Sequence, residues 1–123
     1  MDICLSFAVG VALLRLPSPV TLAWEHSVEH FTIEEEWRAV PAGLVLGETR
    51  VGGLGAGVDI PPQARLAGAF WRFTPELPPQ RQVQLANSRH VAGYRVCDAR
   101  GCTPLSALAR GGEGTITMTS CGS

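Results

Sequence analysis

The sequence predicts an all-β fold, either an antiparallel β-sandwich or a partly open β-barrel. Short stretches in which apolar and polar residues alternate recur along the chain, as expected for strands that bury one face. Fourteen glycines and nine prolines fall between these stretches, and both residue types commonly form turns. Helical periodicity is poor throughout. Short strands at this spacing are typical of sandwiches and barrels.

The composition is that of one folded domain without an electrostatic signature for nucleic acid. The chain has 123 residues, of which 46% are hydrophobic and 17% are charged. This is a usual size for a single domain, and such a chain is too apolar to be disordered. We therefore expect one β-domain over residues 1–123. Because the net charge is −1 and no basic stripe runs along the sequence, nucleic acid is not an expected partner.

The first apolar run, residues 3–14, allows two interpretations, a secretory signal or a pair of strands. The run is too short to span a bilayer, no basic residue precedes it, and no cleavage site of small residues follows it. Its larger apolar residues alternate with smaller residues, and Gly10 is suited to a turn. We favour two strands and predict no membrane span.

The remaining elements follow from the same pattern. One short helix is predicted near residues 104–110, where two glycines end it. The other predicted strands, in chain order, are residues 20–28, 32–40, 44–51, 69–73, 82–86, 91–97 and 115–119.

The glycine-rich segment 52–62 interrupts the strand pattern. Glycine-rich loops that bind phosphate lie between a strand and a helix, whereas here two prolines follow the glycines. We interpret the segment as a turn or loop. The backbone N–H groups around Gly55 and Gly57 remain candidates for a small anion-binding nest.

Residues 24–37, WEHSVEHFTIEEEW, contain five of the 11 acidic residues and two of the 3 histidines of the sequence. A hairpin that closes over His30-Phe31 pairs Trp24 with Trp37 and His26 with Glu35, all on the inward face. A buried carboxylate is costly unless it is paired, so His26 is the expected partner of Glu35. The other four glutamates, Glu25, Glu29, Glu34 and Glu36, form the solvated face.

The His26–Glu35 pair has four interpretations. It is a structural pair, the polar floor of a ligand or ion pocket, part of a catalytic dyad with Ser27 as the nucleophile, or part of a metal site with His30. In a regular strand Ser27 points away from His26, and no tight metal-ligand spacing such as HExxH occurs. We predict no catalytic residue, metal or cofactor. The candidate ligand-binding residues are His26, Glu35, Trp24, Ser27, Glu29, Gly55 and Gly57.

The four cysteines, Cys4, Cys97, Cys102 and Cys121, are disulfide candidates. In the run YRVCDARGCTPL, a hairpin over DARG places Cys97 opposite Cys102, near the separation that a disulfide needs. Cys4 and Cys121 lie in the terminal strands and pair if those strands are neighbours. Four cysteines allow three connectivities, and the sequence leaves them open.

Several of these segments together resemble a bacterial family of domains of unknown function, family 1850. The segments that carry the resemblance are WEHSVE, EEEWR, PAGLVL, GAGVDIPPQA, FWRF, PELPP, YRVC-DARG-CTPLS and the C-terminal cysteine. Val58 stands where the family usually has methionine, and His30 where lysine is common. The resemblance implies no established activity. Members are often encoded beside TAXI-type tripartite ATP-independent periplasmic (TRAP) transporters, which import small organic acids, so it implies a transporter accessory, which would be periplasmic if Met1 is not the natural start.

The expected function is therefore a non-enzymatic accessory or binding domain that takes a small organic acid, an ion or a TRAP transporter subunit. One alternative is a small hydrolase-like enzyme that uses His26 and Ser27. Another is a structural assembly factor that uses exposed aromatic residues at Phe70 or Trp71.

Overall fold

The computed structural model describes residues 1–7, 12–25, 30–53, 60–85, 93–108 and 114–122. These residues form strands that are almost all four to nine residues long, and one turn of helix. In chain order the elements are β1 (Asp2–Phe7), β2 (Ala12–Pro17), β3 (Val20–Glu25), β4 (Thr32–Val40), β5 (Gly43–Val51), β6 (Arg65–Ala67), β7 (Phe70–Phe73), β8 (Gln82–Leu85), β9 (Arg95–Asp98), β10 (Gly101–Pro104), α1 (Leu105–Leu108) and β11 (Ile116–Gly122).

The strands are arranged in two separate antiparallel sheets, so the all-β prediction is confirmed in its sandwich form. The small sheet has the order β2-β1-β11-β8 and the large sheet the order β10-β9-β3-β4-β5-β7-β6. The chain passes from the small to the large sheet through a cis Ser18–Pro19 peptide bond. The two sheets are also linked by the Ser120 hydroxyl, which donates to the Val40 carbonyl over 2.9 Å.

Most predicted strands are confirmed within a few residues. The opening run forms the predicted strand pair, β1 with β2, and the predicted helix is the short α1. The three-residue strand β6 was not predicted as an element, β10 is the second strand of the predicted hairpin over DARG, and β9 begins at Arg95, later than expected. Parts of several predictions lie outside the described residues, namely residues 8–10, 26–28, 86, 91–92 and 109–110.

The core lies between the sheets. The small sheet contributes alternate residues of β1 and β11, because each strand turns one face inward; Ile3 and Ile116 are completely buried there. Trp37, on the large sheet, is the bulkiest member of this core. The remaining buried members of the cluster are Leu5, Leu16, Val20, Leu22, Ala39, Leu44, Leu46, Leu85, Val96, Leu105 and Met118.

The register of β3 with β4 differs from the prediction. Trp37 is aligned with Val20, Glu35 with Leu22, and Trp24 with Ile33, so the predicted Trp24–Trp37 and His26–Glu35 alignments are wrong. The connection between the strands is longer than a tight turn at His30-Phe31, since β3 ends at Glu25 and β4 begins at Thr32. The shift is by an even number of residues, so the predicted inward face is kept.

Two disulfides connect neighbouring strands. Cys4 of β1 is bonded to Cys121 of β11, with a Cα–Cα distance of 5.8 Å. Cys97 of β9 is bonded to Cys102 of β10, with a Cα–Cα distance of 4.0 Å. The structure therefore settles the connectivity that the sequence left open, and it confirms that Cys97 lies opposite Cys102.

The outward face of the large sheet holds an ion-pair network. The Arg50 guanidinium contacts Glu34 at 2.8 Å and Glu48 at 2.9 Å, and Arg72 contacts Glu48 at 2.7 Å. Arg50 is aligned with Glu34 on one side and with Arg72 on the other. Glu34 therefore lies on the predicted outward face, but as an ion-pair partner. Ion pairs on the outward face therefore account for Glu34 and Glu48 without a binding role.

Nowhere in the described part of the chain is there a helix with the length and hydrophobicity that crossing a membrane requires.

Candidate functional site

Two of the seven predicted ligand-binding residues lie in the described structure, Trp24 at the end of β3 and Glu35 in the middle of β4. Both belong to the inward face of the large sheet, as predicted. The other five lie outside the described residues: His26, Ser27, Glu29, Gly55 and Gly57. In the described structure, the candidate site therefore consists of Glu35 and the groups that surround it.

Glu35 is a half-buried carboxylate on the inward, largely apolar face of the sheet. Its neighbour across β3 is Leu22, which is completely buried. The Trp37 indole Nε1–H donates to Glu35 Oε1 over 3.4 Å, a long hydrogen bond that holds one carboxylate oxygen. Burial raises the pKa of Glu35 above its usual value of 4.5, and the bond from Trp37 offsets this only in part. Loss of hydration therefore dominates the electrostatics of this group.

Thr49 of β5 is the neighbour of Glu35 on the other side. Its side chain is on the same face, because aligned residues of paired strands point the same way. Thr49 is only 6% exposed, and among the described residues its hydroxyl oxygen has no hydrogen-bond partner. A buried hydroxyl without a partner costs roughly 1–3 kcal/mol. The two polar groups thus lie side by side within the apolar face.

Two aromatic rings lie on the side of Glu35 away from Thr49, Trp24 near the end of β3 and Tyr94 just before β9. Trp24 and Tyr94 are both half-buried, and their ring centroids are 5.1 Å apart with the planes tilted by 60°. Burial raises the pKa of Tyr94, and the negative charge of Glu35 adds to this increase, which places the phenol within electrostatic range of the carboxylate. The Tyr94 carbonyl accepts a 2.8 Å hydrogen bond from the Leu105 N–H, so buried Leu105 at the start of α1 fixes the backbone that carries the ring.

Together, Trp24, Glu35, Trp37, Thr49 and Tyr94 form what we call the Glu35 site. Its polar atoms are a carboxylate, a hydroxyl and a phenol. Among the described residues no cation forms an ion pair with Glu35, and the ion pairs of Arg38, Arg50 and Arg72 lie on the other face of the large sheet. The described residues also contain no group of three or more histidines, cysteines or acids that is arranged to hold a metal ion. Chemically, the carboxylate accepts hydrogen bonds and attracts positive charge, whereas the hydroxyl and the phenol can both donate and accept.

A separate pocket of about 240 Å³ lies where the edge strands β2 and β10 border the gap between the sheets. Leu14, Leu16 and Val96 form its apolar wall, and Asp98 and Arg100 of the β9–β10 turn form its rim. The rim groups bind each other, with Arg100 Nη2 2.9 Å from Asp98 Oδ2. This pocket contains none of the predicted site residues. Its rim charges are already paired with each other, so the Glu35 site is the better candidate for specific recognition.

Sequence reasoning did not include Thr49, Trp37 and Tyr94 among the site residues. Strict alternation along LVLGETRV places Glu48 inward and Thr49 outward. The structure has a register shift opposite Glu35–Trp37, with Gly47 and Glu48 in the irregular region, and this turns Thr49 inward. Glycine within a strand often marks such a bulge, so Gly47 was the available signal. For Tyr94, the available signal was its position two residues before Val96, because alternate residues of a strand share a face. Val96 is buried.

The comparisons with known proteins identify a family and no nearer relative. The family described as a domain of unknown function (DUF1850) matches residues 20–105, which include every residue of the Glu35 site. No curated protein and no solved structure gives a significant match. Because the match covers more than half of the chain, this protein belongs to the DUF1850 family.

Proposed function

We propose that this protein is a non-enzymatic binding domain and that its ligand is held at the Glu35 site. The observation that carries the proposal is the Thr49 hydroxyl, which is buried beside Glu35 and lacks a partner among the described residues. Buried polar groups in proteins nearly always have a hydrogen-bond partner. A bound ligand group supplies the missing one.

The energetics of Glu35 support the same conclusion. Its carboxylate loses hydration on burial, and a single long hydrogen bond from Trp37 compensates for only part of that loss. Natural proteins retain such unfavourable groups mainly where function requires them. A valine at position 49 and an aliphatic residue at position 35 would suit the apolar face better.

Catalysis is less well supported by these groups. Nucleophilic catalysis needs a nucleophile within hydrogen-bond reach of a base. The described part of the site offers one acid, one hydroxyl and three aromatic rings, which are groups suited to recognition. The hydrolase alternative depends on His26 and Ser27, which lie outside the described residues.

We propose in addition that the domain works beside a TRAP-type transporter. Support for this comes from the sequence resemblance. The two disulfides agree with the periplasmic setting that it implies, since such bonds persist in oxidising compartments. The test is co-purification of transporter subunits with the tagged domain under oxidising conditions. Recovery equal to that with an unrelated disulfide-bonded β-sandwich would refute this association.

The binding proposal is tested by ligand-induced thermal stabilisation. The full oxidised chain is screened against small organic acids, small organic ammonium salts and divalent metal chlorides. At least one class should raise Tm by mass action, and Glu35→Gln, which keeps the size of the side chain and its acceptor oxygen, should reduce the shift. Arg100→Ala, at the rim of the other pocket, is the matched control and should keep the full shift. If no class stabilises the protein, or if Glu35→Gln behaves like the control, the Glu35 site is not a binding site.

A further inference from the structure

We propose that the ligand of the Glu35 site is a small organic cation, specifically a protonated amine with at least one N–H group. This inference rests on the proposed function and names its ligand class. It departs from the expectation of an organic acid that the transporter context gives. Three features of the site carry it: the sign of its charge, its aromatic rings and a hydroxyl that lacks a partner among the described residues.

The sign of the charge comes first. Glu35 is the carboxylate that faces inward on β4, and its aligned neighbours, Leu22 and Thr49, are uncharged. The arginines on these strands belong to the other face: Arg50 is aligned with Glu34, and Arg95 is aligned with Ala23. An anionic ligand would therefore meet a negative charge that no cation among the described residues pairs, in a partly desolvated setting where Coulomb repulsion is stronger than in water. A cationic ligand would be attracted by the Glu35 carboxylate.

The aromatic rings supply the second feature. Trp24 and Tyr94 are half-buried and pack directly against each other, with ring centroids 5.1 Å apart and planes tilted by 60°, so each ring covers at most one face of the other. The face of an aromatic ring attracts cations, most strongly for tryptophan. Two rings beside a carboxylate are a common arrangement for binding ammonium groups. The third ring, Trp37, has a different role: it is only 5% exposed and donates to Glu35 Oε1, so it acts as a positioning residue and leaves Oε2 to the ligand.

The hydroxyl selects among cations. Thr49 Oγ1 lacks a partner among the described residues, and a hydroxyl oxygen accepts hydrogen bonds readily. A primary or secondary ammonium can donate one N–H to Glu35 and another N–H to Thr49. A quaternary ammonium has no N–H and would leave the hydroxyl without a partner. The site is thus built for a protonated amine.

The experiment compares three ligands with the same four-carbon chain and different head groups. Butylammonium is the cation, butan-1-ol the neutral alcohol and butanoate the organic acid. Each is titrated into the full oxidised chain by isothermal titration calorimetry at pH 7.5. We expect butylammonium to bind at least about tenfold more tightly than either of the others, because charge-assisted hydrogen bonds are roughly twice as strong as neutral ones.

Matched variants assign the binding to the site. Glu35→Gln should weaken butylammonium binding by at least about tenfold, and Thr49→Val should weaken it several-fold while leaving tetramethylammonium binding unchanged. Arg100→Ala, in the separate pocket, should bind like the parent protein. Circular dichroism confirms that each variant is folded before titration.

The possible failures are distinguishable. If butanoate binds more tightly than butylammonium and Glu35→Gln affects its binding, the cation class is wrong while the Glu35 site stands as the binding site. If butylammonium binds but Glu35→Gln has no effect, both the ligand class at this site and the site itself are refuted. If none of the three ligands binds, the amine proposal is refuted, and the wider screen above decides the proposed function.

Discussion

Glu35 and Thr49 lie on neighbouring strands and face the same way, and each is a polar group among apolar neighbours. Glu35 retains one hydrogen bond, from Trp37, whereas the Thr49 hydroxyl has none among the described residues. Both groups therefore lower the stability of the unliganded fold. The groups proposed to bind the ligand thus reduce the stability of the unliganded protein, and single substitutions of Glu35 or Thr49 measure the effects on binding and on stability separately.

Glu35 makes stability depend on pH. Burial raises its pKa in the folded protein above 4.5, so the folded state binds the proton more tightly than the unfolded state. The stabilisation from protonated Glu35 is full below pH 4.5 and is lost as the pH rises through the raised pKa. Among the described residues, the titratable group that faces it is Tyr94, which is neutral in this range.

Glu35→Gln should remove this pH dependence. At neutral pH the variant should be more stable than the parent protein, and the two should converge at acidic pH. Chemical denaturation at a series of pH values measures the difference. Glu25→Gln, an exposed position on the partner strand, is the control and should keep the parent profile. A variant that is less stable than the parent at pH 7 would show that Glu35 has a stabilising ionic partner.

Thr49→Val should stabilise the unliganded protein. The substitution keeps the shape of the side chain and removes a buried hydroxyl that lacks a partner among the described residues, so we expect a gain of about 1 kcal/mol in the free energy of unfolding. Guanidinium denaturation gives this value. A loss of similar size would mean that the hydroxyl makes a hydrogen bond in the unliganded protein, and the main argument for the site would fall.

At the scale of elements, the alternation of side chains predicted the strands and their inward faces but not their register. Trp24 and Glu35 share the inward face both in the predicted register and in the observed one. A shift by an even number of residues moves every inward side chain to another inward position, so the hydrophobic pattern cannot separate the two registers. The two registers differ in the length of the β3–β4 connection, and the sequence around His30 has no strong turn signal from which that length could be predicted.

A bulge was the other limit on prediction. Alternation through β5 fails at Gly47 and Glu48, where the register with β4 shifts. Two residues of β5 lie there opposite one residue of β4, and this one extra residue places Thr49 beside Glu35. Site residues on regular strands, such as Trp24 and Glu35, were predictable from the sequence. The place of Thr49 in the site could be seen only in the structure, because the pairing of β4 with β5 brings it beside Glu35.

The start of β5 is fixed by a close backbone approach. Gly43 has φ of 137°, and a Cβ at this position would collide with the Gln80 carbonyl group, whose carbon would be 2.9 Å away. That carbonyl accepts a 2.7 Å hydrogen bond from the Leu44 N–H, and the Gln80 N–H donates back over 2.8 Å. These bonds hold β5 to the segment that leads into β8.

Gly43→Ala should therefore be severely destabilising, by about 2–4 kcal/mol, since it adds both backbone strain and a collision with the main chain. Gly68→Ala is the matched control, because Gly68 also has a positive φ, 62°, but open space around its Cβ position. That variant should cost about 1 kcal/mol. Equal losses for the two variants in urea denaturation would show that the approach of Gln80 contributes nothing.

At the scale of the whole molecule, a shared core joins the two sheets, and the terminal strands β1 and β11 pair with each other within the small sheet. The Cys4–Cys121 bond links residues 117 apart, whereas the Cys97–Cys102 bond links residues 5 apart. A cross-link that closes a long loop removes more entropy from the unfolded chain than one that closes a short loop. The terminal disulfide is thus the global constraint, and the hairpin disulfide is a local one.

Replacing each pair by serine tests this difference. Loss of the terminal disulfide should lower the free energy of unfolding by about 5 kcal/mol and loss of the hairpin disulfide by about 2 kcal/mol, by the chain-entropy relation. Guanidinium denaturation of the two double variants under oxidising conditions provides the comparison. The reverse order would mean that the β9–β10 hairpin, which borders the separate pocket, dominates the stability of the sandwich.

The central claim is that Glu35 is a half-buried carboxylate that has no cationic partner among the described residues and gains one when a ligand binds. The most direct measurement is an NMR titration of the Glu35 side-chain carboxyl carbon, with and without butylammonium. We expect the pKa of Glu35 to lie above 4.5 in the unliganded protein and to be lower when the amine is bound. A pKa below 4.5 without ligand, or no response to the amine, would contradict it.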